Sequence, residues 1–152
     1  MIVEPQRHIA AFAAAGADAL TVQLDAGRHL IACLREIGSH ASARHPDRPI
    51  LRGVALPVDA PVGALSPLLG ELDLVLVLGV VPGYRGPAIP GLAERVAAVR
   101  ELAGEEVLVS VDGGITAELA PTLEGADVIV SGSALFAGGD AAAALREFLR
   151  HL

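Results

Sequence analysis

The chain is predicted to be an α/β protein built on a parallel sheet, and three observations carry that prediction. Short Val-, Ile- and Leu-rich runs without helical period alternate with segments whose apolar residues fall three and four apart. Glycines suited to left-handed helix caps follow several of those segments, and two pass through the same Gly-Ala-Asp step, residues 16–18 and 125–127, into the next run. Finally, 53% of the 152 residues are apolar and only 19% charged, enough to bury a sizeable core in one domain, taken as residues 1–152.

In chain order, Ile9 and Phe12 mark a first helix that stops at Gly16, followed by a strand at residues 19–24 (ALTVQL). Leu30, Ile31, Leu34 and Ile37 share one helical face, with Gly38 as its cap, and a polar Pro-containing loop fills residues 40–49. Strands are expected at residues 50–58 (ILRGVALPV) and 73–81 (DLVLVLGVV), then a helix carrying Leu92, Val96, Val99 and Leu102. The strand at residues 107–111 (VLVSV) leads to a helix capped by Thr116, and the last strand, 127–130 (DVIV), leads to a short turn through Ala134, Leu135 and Phe136. A helix with Leu145, Phe148 and Leu149 closes the chain. All five strands read as buried on both faces.

Composition excludes several functions. A formal charge of −7, a pI near 5.1 and 3% aromatic residues leave neither a basic footprint nor stacking platforms, so no nucleic-acid partner is expected. The basic residues are all arginine, which excludes a lysine Schiff base, lysine-bound PLP and a P-loop lysine. A single cysteine, Cys33, forms no internal disulfide and reads as a core residue in a reducing compartment. The opening MIVEPQRH lacks the pattern of a secretory leader and no apolar run is long enough to span a bilayer, so a soluble, cytoplasmic protein without membrane contact is expected. His8, His29, His40, His45 and His151, with Arg7 and Arg28, read as surface residues.

Loop chemistry separates the two parallel architectures. An open doubly wound sheet with a dinucleotide site needs Gly-x-Gly-x-x-Gly after its first strand, and none occurs. Glycines instead follow the last three strands: Pro82-Gly83-Tyr84-Arg85-Gly86, Asp112-Gly113-Gly114 and Ser131-Gly132-Ser133. In a (β/α)8 barrel that end carries the active site, and the last two loops commonly hold a phosphate. Asp112 at a strand tip is placed to move a proton, with glycine amides beside it open to an anion. Alternatives stand beside each reading: a turn serving backbone geometry at Asp112-Gly113-Gly114, a plain N-cap at Ser133, and a solvated charge at Arg85.

The motifs EP.RHIAAFAAAGADALTV, DLVLVL..VPGYRG, VSVDGGI and VSGSALF, in that order, resemble the ribulose-phosphate 3-epimerases over essentially the whole chain. The resemblance implies a metal-dependent (β/α)8 barrel that inverts C3 of a ketopentose 5-phosphate, with two aspartates on opposite faces of the substrate and a divalent metal stabilising the enediolate. It makes Asp112 one of the two aspartates and a metal ligand. It places Gly83, Tyr84, Arg85 and Gly86 on a substrate loop, and Gly113, Gly114, Gly132 and Ser133 on the phosphate loops. The family's first two strands and a third-strand histidine have no counterpart after Met1, so a partial TIM barrel, about strands 3/4 to 8, is expected, with Asp112 alone of the metal set. Gln23 stands where the family usually has histidine, Val81 where it has asparagine and Pro87 where it has glutamine. Three readings follow: an epimerase represented by its C-terminal portion and impaired in turnover, a non-catalytic sugar-phosphate binder, or a structural half-barrel. An open sheet with edges near Ile2 and at residues 127–130 further predicts a homo-oligomer.

Overall fold

A computed structural model describes residues 1–27 and 29–152. Arg28, expected at the surface, lies outside the described residues. The sheet has five strands, β1 (Ala19–Gln23), β2 (Leu51–Leu56), β3 (Leu74–Leu78), β4 (Leu108–Asp112) and β5 (Val128–Val130), all parallel and paired in sequence order. Each strand thus lies beside its sequence predecessor, which is how a barrel winds; a doubly wound sheet reverses direction. Among the described residues β1 and β5 are free edges, so the sheet is a partial barrel.

Strand alternation sorts the side chains. Val22, Val54, Val75 and Val109 lie in register on one face, as do Leu56, Val77 and Val111, and all are buried beneath the helices. Those helices are α1 (Ile9–Ala14), α2 (Leu30–Ser39) and α3 (Leu92–Ala103), joined between β2 and β3 by a 3-10 segment, Val62–Glu71. Ile9, Cys33, Leu34, Ile37, Leu65, Leu92, Val96 and Val99 fill the contact. The other face is buried only at its centre, by Ala55, Leu78 and Ser110, and Leu51, Leu108, Val128 and Val130 are exposed. Burial on both faces was expected; an unclosed sheet leaves nothing opposite its edges and lower rim to cover them.

Aspartates tie the N-terminal ends of alternate strands to their neighbours. Asp18, Asp73 and Asp127 each precede a strand. Asp73 accepts from the Arg52 backbone N–H at 2.8 Å and from its guanidinium at 2.8 and 2.9 Å. Asp127 repeats the device, accepting from Val109 N–H at 2.7 Å and from Arg100. Arg100 also donates to the carbonyls of Gly104, Val107 and Gly125, closing the lower ends of α3, β4 and the turn before β5. Asp18 accepts from the Ser42 hydroxyl.

Several local expectations are corrected. Gly16 and Gly125 do adopt positive φ, but Gly38 does not; it lies inside α2, where a Cβ would stand 2.9 Å from Arg52 Cδ, so close packing explains the glycine. No strand forms near Ile2, because residues 1–4 find no neighbouring strand to pair with, and β1 is the edge. No α-helix follows Thr116; its hydroxyl accepts from Leu119 N–H at 3.3 Å in a turn that leads only to a 3-10 turn, Ala120–Thr122, since Pro121 cannot extend a helix there. Ser133 opens the four-residue α4 (Ser133–Phe136), with Gly132 in the cap position, so it is not the N-cap. In α5 (Ala141–Leu149), capped by Asp140, only Phe148 is buried, and Leu145 and Leu149 are exposed.

Candidate active site

The three glycine loops are assembled by their backbones. At the end of β3, Gly79 donates its N–H to Asp112 O at 2.7 Å, and its carbonyl accepts from Ile89 N–H at 2.7 Å, pinching off residues 80–88. A Cβ at Gly79 would lie 2.3 Å from Gly113 O, so only glycine fits this crossing. Gly114, at φ +70°, packs on the same loop: its Cβ would stand 2.3 Å from Ala88 N. The Ser131 hydroxyl donates to Ile115 O at 2.9 Å and draws the β5 loop against the β4 loop.

The result is a cleft of about 960 Å³ at the C-terminal ends of the strands. All nine residues singled out from the sequence line it: Gly83, Tyr84, Arg85, Gly86, Asp112, Gly113, Gly114, Gly132 and Ser133. Asp112 is half-buried, in register with Leu78 and Val130, and no described donor is bonded to its carboxylate. Tyr84 is 75% exposed on the rim, beside the exposed Arg85. Leu76, Leu78, Ala55 and Gln23 contribute from the sheet. The two pairs of residues expected to hold a phosphate differ in kind. Gly113, at φ +109°, and Gly114 are required by backbone conformation and close approach. At Gly132, a Cβ would meet nothing within 4 Å, so the missing side chain keeps space open in the cleft.

Sequence reasoning missed part of this wall. His8 is exposed, as expected, yet lines the cleft together with Met1, Ile2 and Phe12. Phe12 shares the helical spacing of Ile9 but is 51% exposed, and that spacing alone cannot show which end of a short helix looks into a cleft. The divalent metal implied by the resemblance does not fit the donors present. Among the described residues no three His, Cys, Asp or Glu side chains come together, and Asp112 is the only carboxylate lining the cleft. A single carboxylate is far from the oxygen set that holds a hard divalent cation.

Strands paired in sequence order, with glycine loops and a carboxylate gathered at their C-terminal ends, define a (β/α)-barrel protein in partial form, with its candidate site at the end where such barrels carry theirs. A sequence profile described as the Ribulose-phosphate 3 epimerase family matches residues 1–136, and the chain belongs to that family. Ribulose-phosphate 3-epimerase of Bacillus subtilis is 36% identical over 97% of this chain and 67% of its own length. The enzyme of the same name from Treponema pallidum is 38% identical over 91% of this chain and 62% of its own length. The chain therefore spans about two thirds or less of these relatives. A crystal structure of 3-hexulose-6-phosphate synthase superposes on all of the chain with a TM-score of 0.69 at 22% identity, covering 70% of that protein, a likeness of fold. No helix among the described residues is long and apolar enough to cross a membrane.

Proposed function

We propose that the cleft binds a ketopentose 5-phosphate and that Asp112 exchanges the proton at C3 in a 3-epimerase reaction. The observation that carries this reading is the convergence of three separate loops on one cleft holding a single carboxylate. In it, the amides of Gly113, Gly114 and Gly132 and the Ser133 hydroxyl hold the phosphate, while Gly83, Tyr84, Arg85 and Gly86 cover the substrate, Arg85 supplying the positive charge. Asp112 lies within the same cleft, where its unpaired carboxylate can take a proton from the carbon beside the keto group, leaving an enediolate. Inversion requires a proton returned to the opposite face, and among the described residues no second carboxylate lines the cleft. Turnover by these 152 residues alone is accordingly expected to be slight.

Binding is tested by titrating ketopentose 5-phosphate or inorganic phosphate while following backbone amides by NMR. Shifts at Gly113, Gly114, Gly132 and Ser133 are expected, and a Gly132→Ala variant should fold normally yet bind phosphate at least about tenfold more weakly, since its methyl enters open space. Shifts confined to other surfaces would overturn the phosphate assignment. Substantial turnover abolished by Asp112→Asn would show that another residue supplies the second proton. Binding without any turnover, in a chain carrying all family strands, would favour the non-catalytic sugar-phosphate binder.

The open sheet supports a homo-oligomer. Leu51, Leu108, Val128 and Val130 are exposed, and among the described residues β1 and β5 have free backbone edges. Light scattering on dilute protein should show a dimer or larger species, and a stable monomer would contradict it. A cytoplasmic setting is in keeping with the free, buried Cys33.

A further inference from the structure

One polar group in the cleft has no protein partner. Gln23, the last residue of β1, is half-buried, and its Oε1 is sealed from solvent without a hydrogen bond among the described residues. Its register neighbours across the sheet are Ala55 and then Leu76, which offer no polar side chain. A buried amide oxygen left without a donor is destabilising, so folding alone gives no reason to place a carboxamide here. Gln23 and Asp112 line the same cleft from strands three spacings apart, about 14 Å along the curved sheet. On the sugar-phosphate reading, a ligand held by its phosphate near β4 and β5 would extend its other end across Leu78, Leu76 and Ala55 toward β1.

We infer that Gln23 is a substrate-recognition residue whose carboxamide hydrogen-bonds a hydroxyl of the sugar chain at the end remote from the phosphate. This rests on the sugar-phosphate reading given above and adds the group that reads the carbon chain. A hydroxyl both donates and accepts, so it matches either end of the amide. Discrimination follows from the same chemistry: a site built to bond a hydroxyl rejects a ligand that lacks it far better than an apolar pocket rejects an added methylene, because the buried polar group is left unpaired.

The test measures binding of a ketopentose 5-phosphate and of inorganic phosphate, by calorimetry, to the parent protein and to Gln23→Leu, with Gln23→Asn as a second variant. Leucine fills similar space without polar atoms, so the variant should unfold at the same or higher denaturant concentration. The ketopentose phosphate should bind Gln23→Leu about 10- to 100-fold more weakly, with inorganic phosphate unchanged within about twofold. Asparagine, shorter by one methylene, should also weaken only the sugar phosphate. Equal affinity of parent and Gln23→Leu for the ketopentose phosphate would overturn the inference while leaving the phosphate site intact. Parallel loss of both ligands with lowered stability would mark Gln23 as a structural residue and overturn it too. Failure of the parent to bind either ligand would remove the sugar-phosphate reading and this inference together.

Discussion

Replacing Gly114 by alanine should destabilise the fold through a contact that the sequence does not show. The residue sits at φ +70°, where an L side chain costs about 1–2 kcal/mol. Its new Cβ would also lie 2.3 Å from Ala88 N, 2.7 Å from Pro87 C and 2.8 Å from Gly86 O. All three are backbone atoms, so relief requires moving the whole loop of residues 80–88, and forced overpacking of this kind costs about 1–3 kcal/mol. Together the loss is about 2–5 kcal/mol, a large part of the 5–15 kcal/mol that holds a domain folded. Gly139 supplies the control, because its φ is +82° and a Cβ there meets nothing within 4 Å. Urea unfolding followed by far-UV circular dichroism should therefore show Gly114→Ala below Gly139→Ala by about 1–3 kcal/mol. Equal losses in the two variants would refute the packing of the loop after β4 on residues 86–88.

Other outcomes follow from the lower end of the sheet. Arg100→Met should lower stability by about 2–4 kcal/mol in the same urea assay, since Gly104, Val107 and Gly125 lose a charged donor and Asp127 its cation. Asp73 is held below the usual carboxylate range mainly by its hydrogen bond from Arg52, with burial opposing. A depressed folded-state pKa contributes stability above the unfolded value of 3.8 and loses it as pH falls through the folded one, so the stability difference between parent and Asp73→Asn should shrink below pH 3.8. Cys33 is 5% exposed and burial pushes its thiol up, so iodoacetamide should modify it slowly in native protein and quickly in urea, as mass spectrometry would show.

Sequence alone determined the alternation of elements and the end of the sheet where the glycine loops gather. Buried parallel strands must be runs of Val, Ile and Leu, and glycine must appear where loops turn at positive φ, so VLVSV followed by Asp112-Gly113-Gly114 marks both a strand and the tight loop at its tip. All nine residues singled out from the sequence reach one cleft, and of the glycines among them Gly83, Gly113 and Gly114 turn at positive φ. What tertiary structure decided is which neighbours these residues meet. Gly38, which looks like a helix end, is a packing position against Arg52; Thr116 caps a turn and no helix; and Gly114 is glycine because Ala88 lies against it. The half-exposed inner face, with Val128 and Val130 open to solvent, depends on whether the sheet closes, a property of strands far apart in the chain. Gln23 shows the limit most sharply: in ALTVQL it is, with Thr21, one of two polar residues in a mostly apolar run, and only the folded sheet seals its amide oxygen without a bonding partner among the described residues. Local pattern fixes what a segment becomes, because backbone propensity and burial act over a few residues, whereas the partner of a side chain is set by packing between segments distant in sequence.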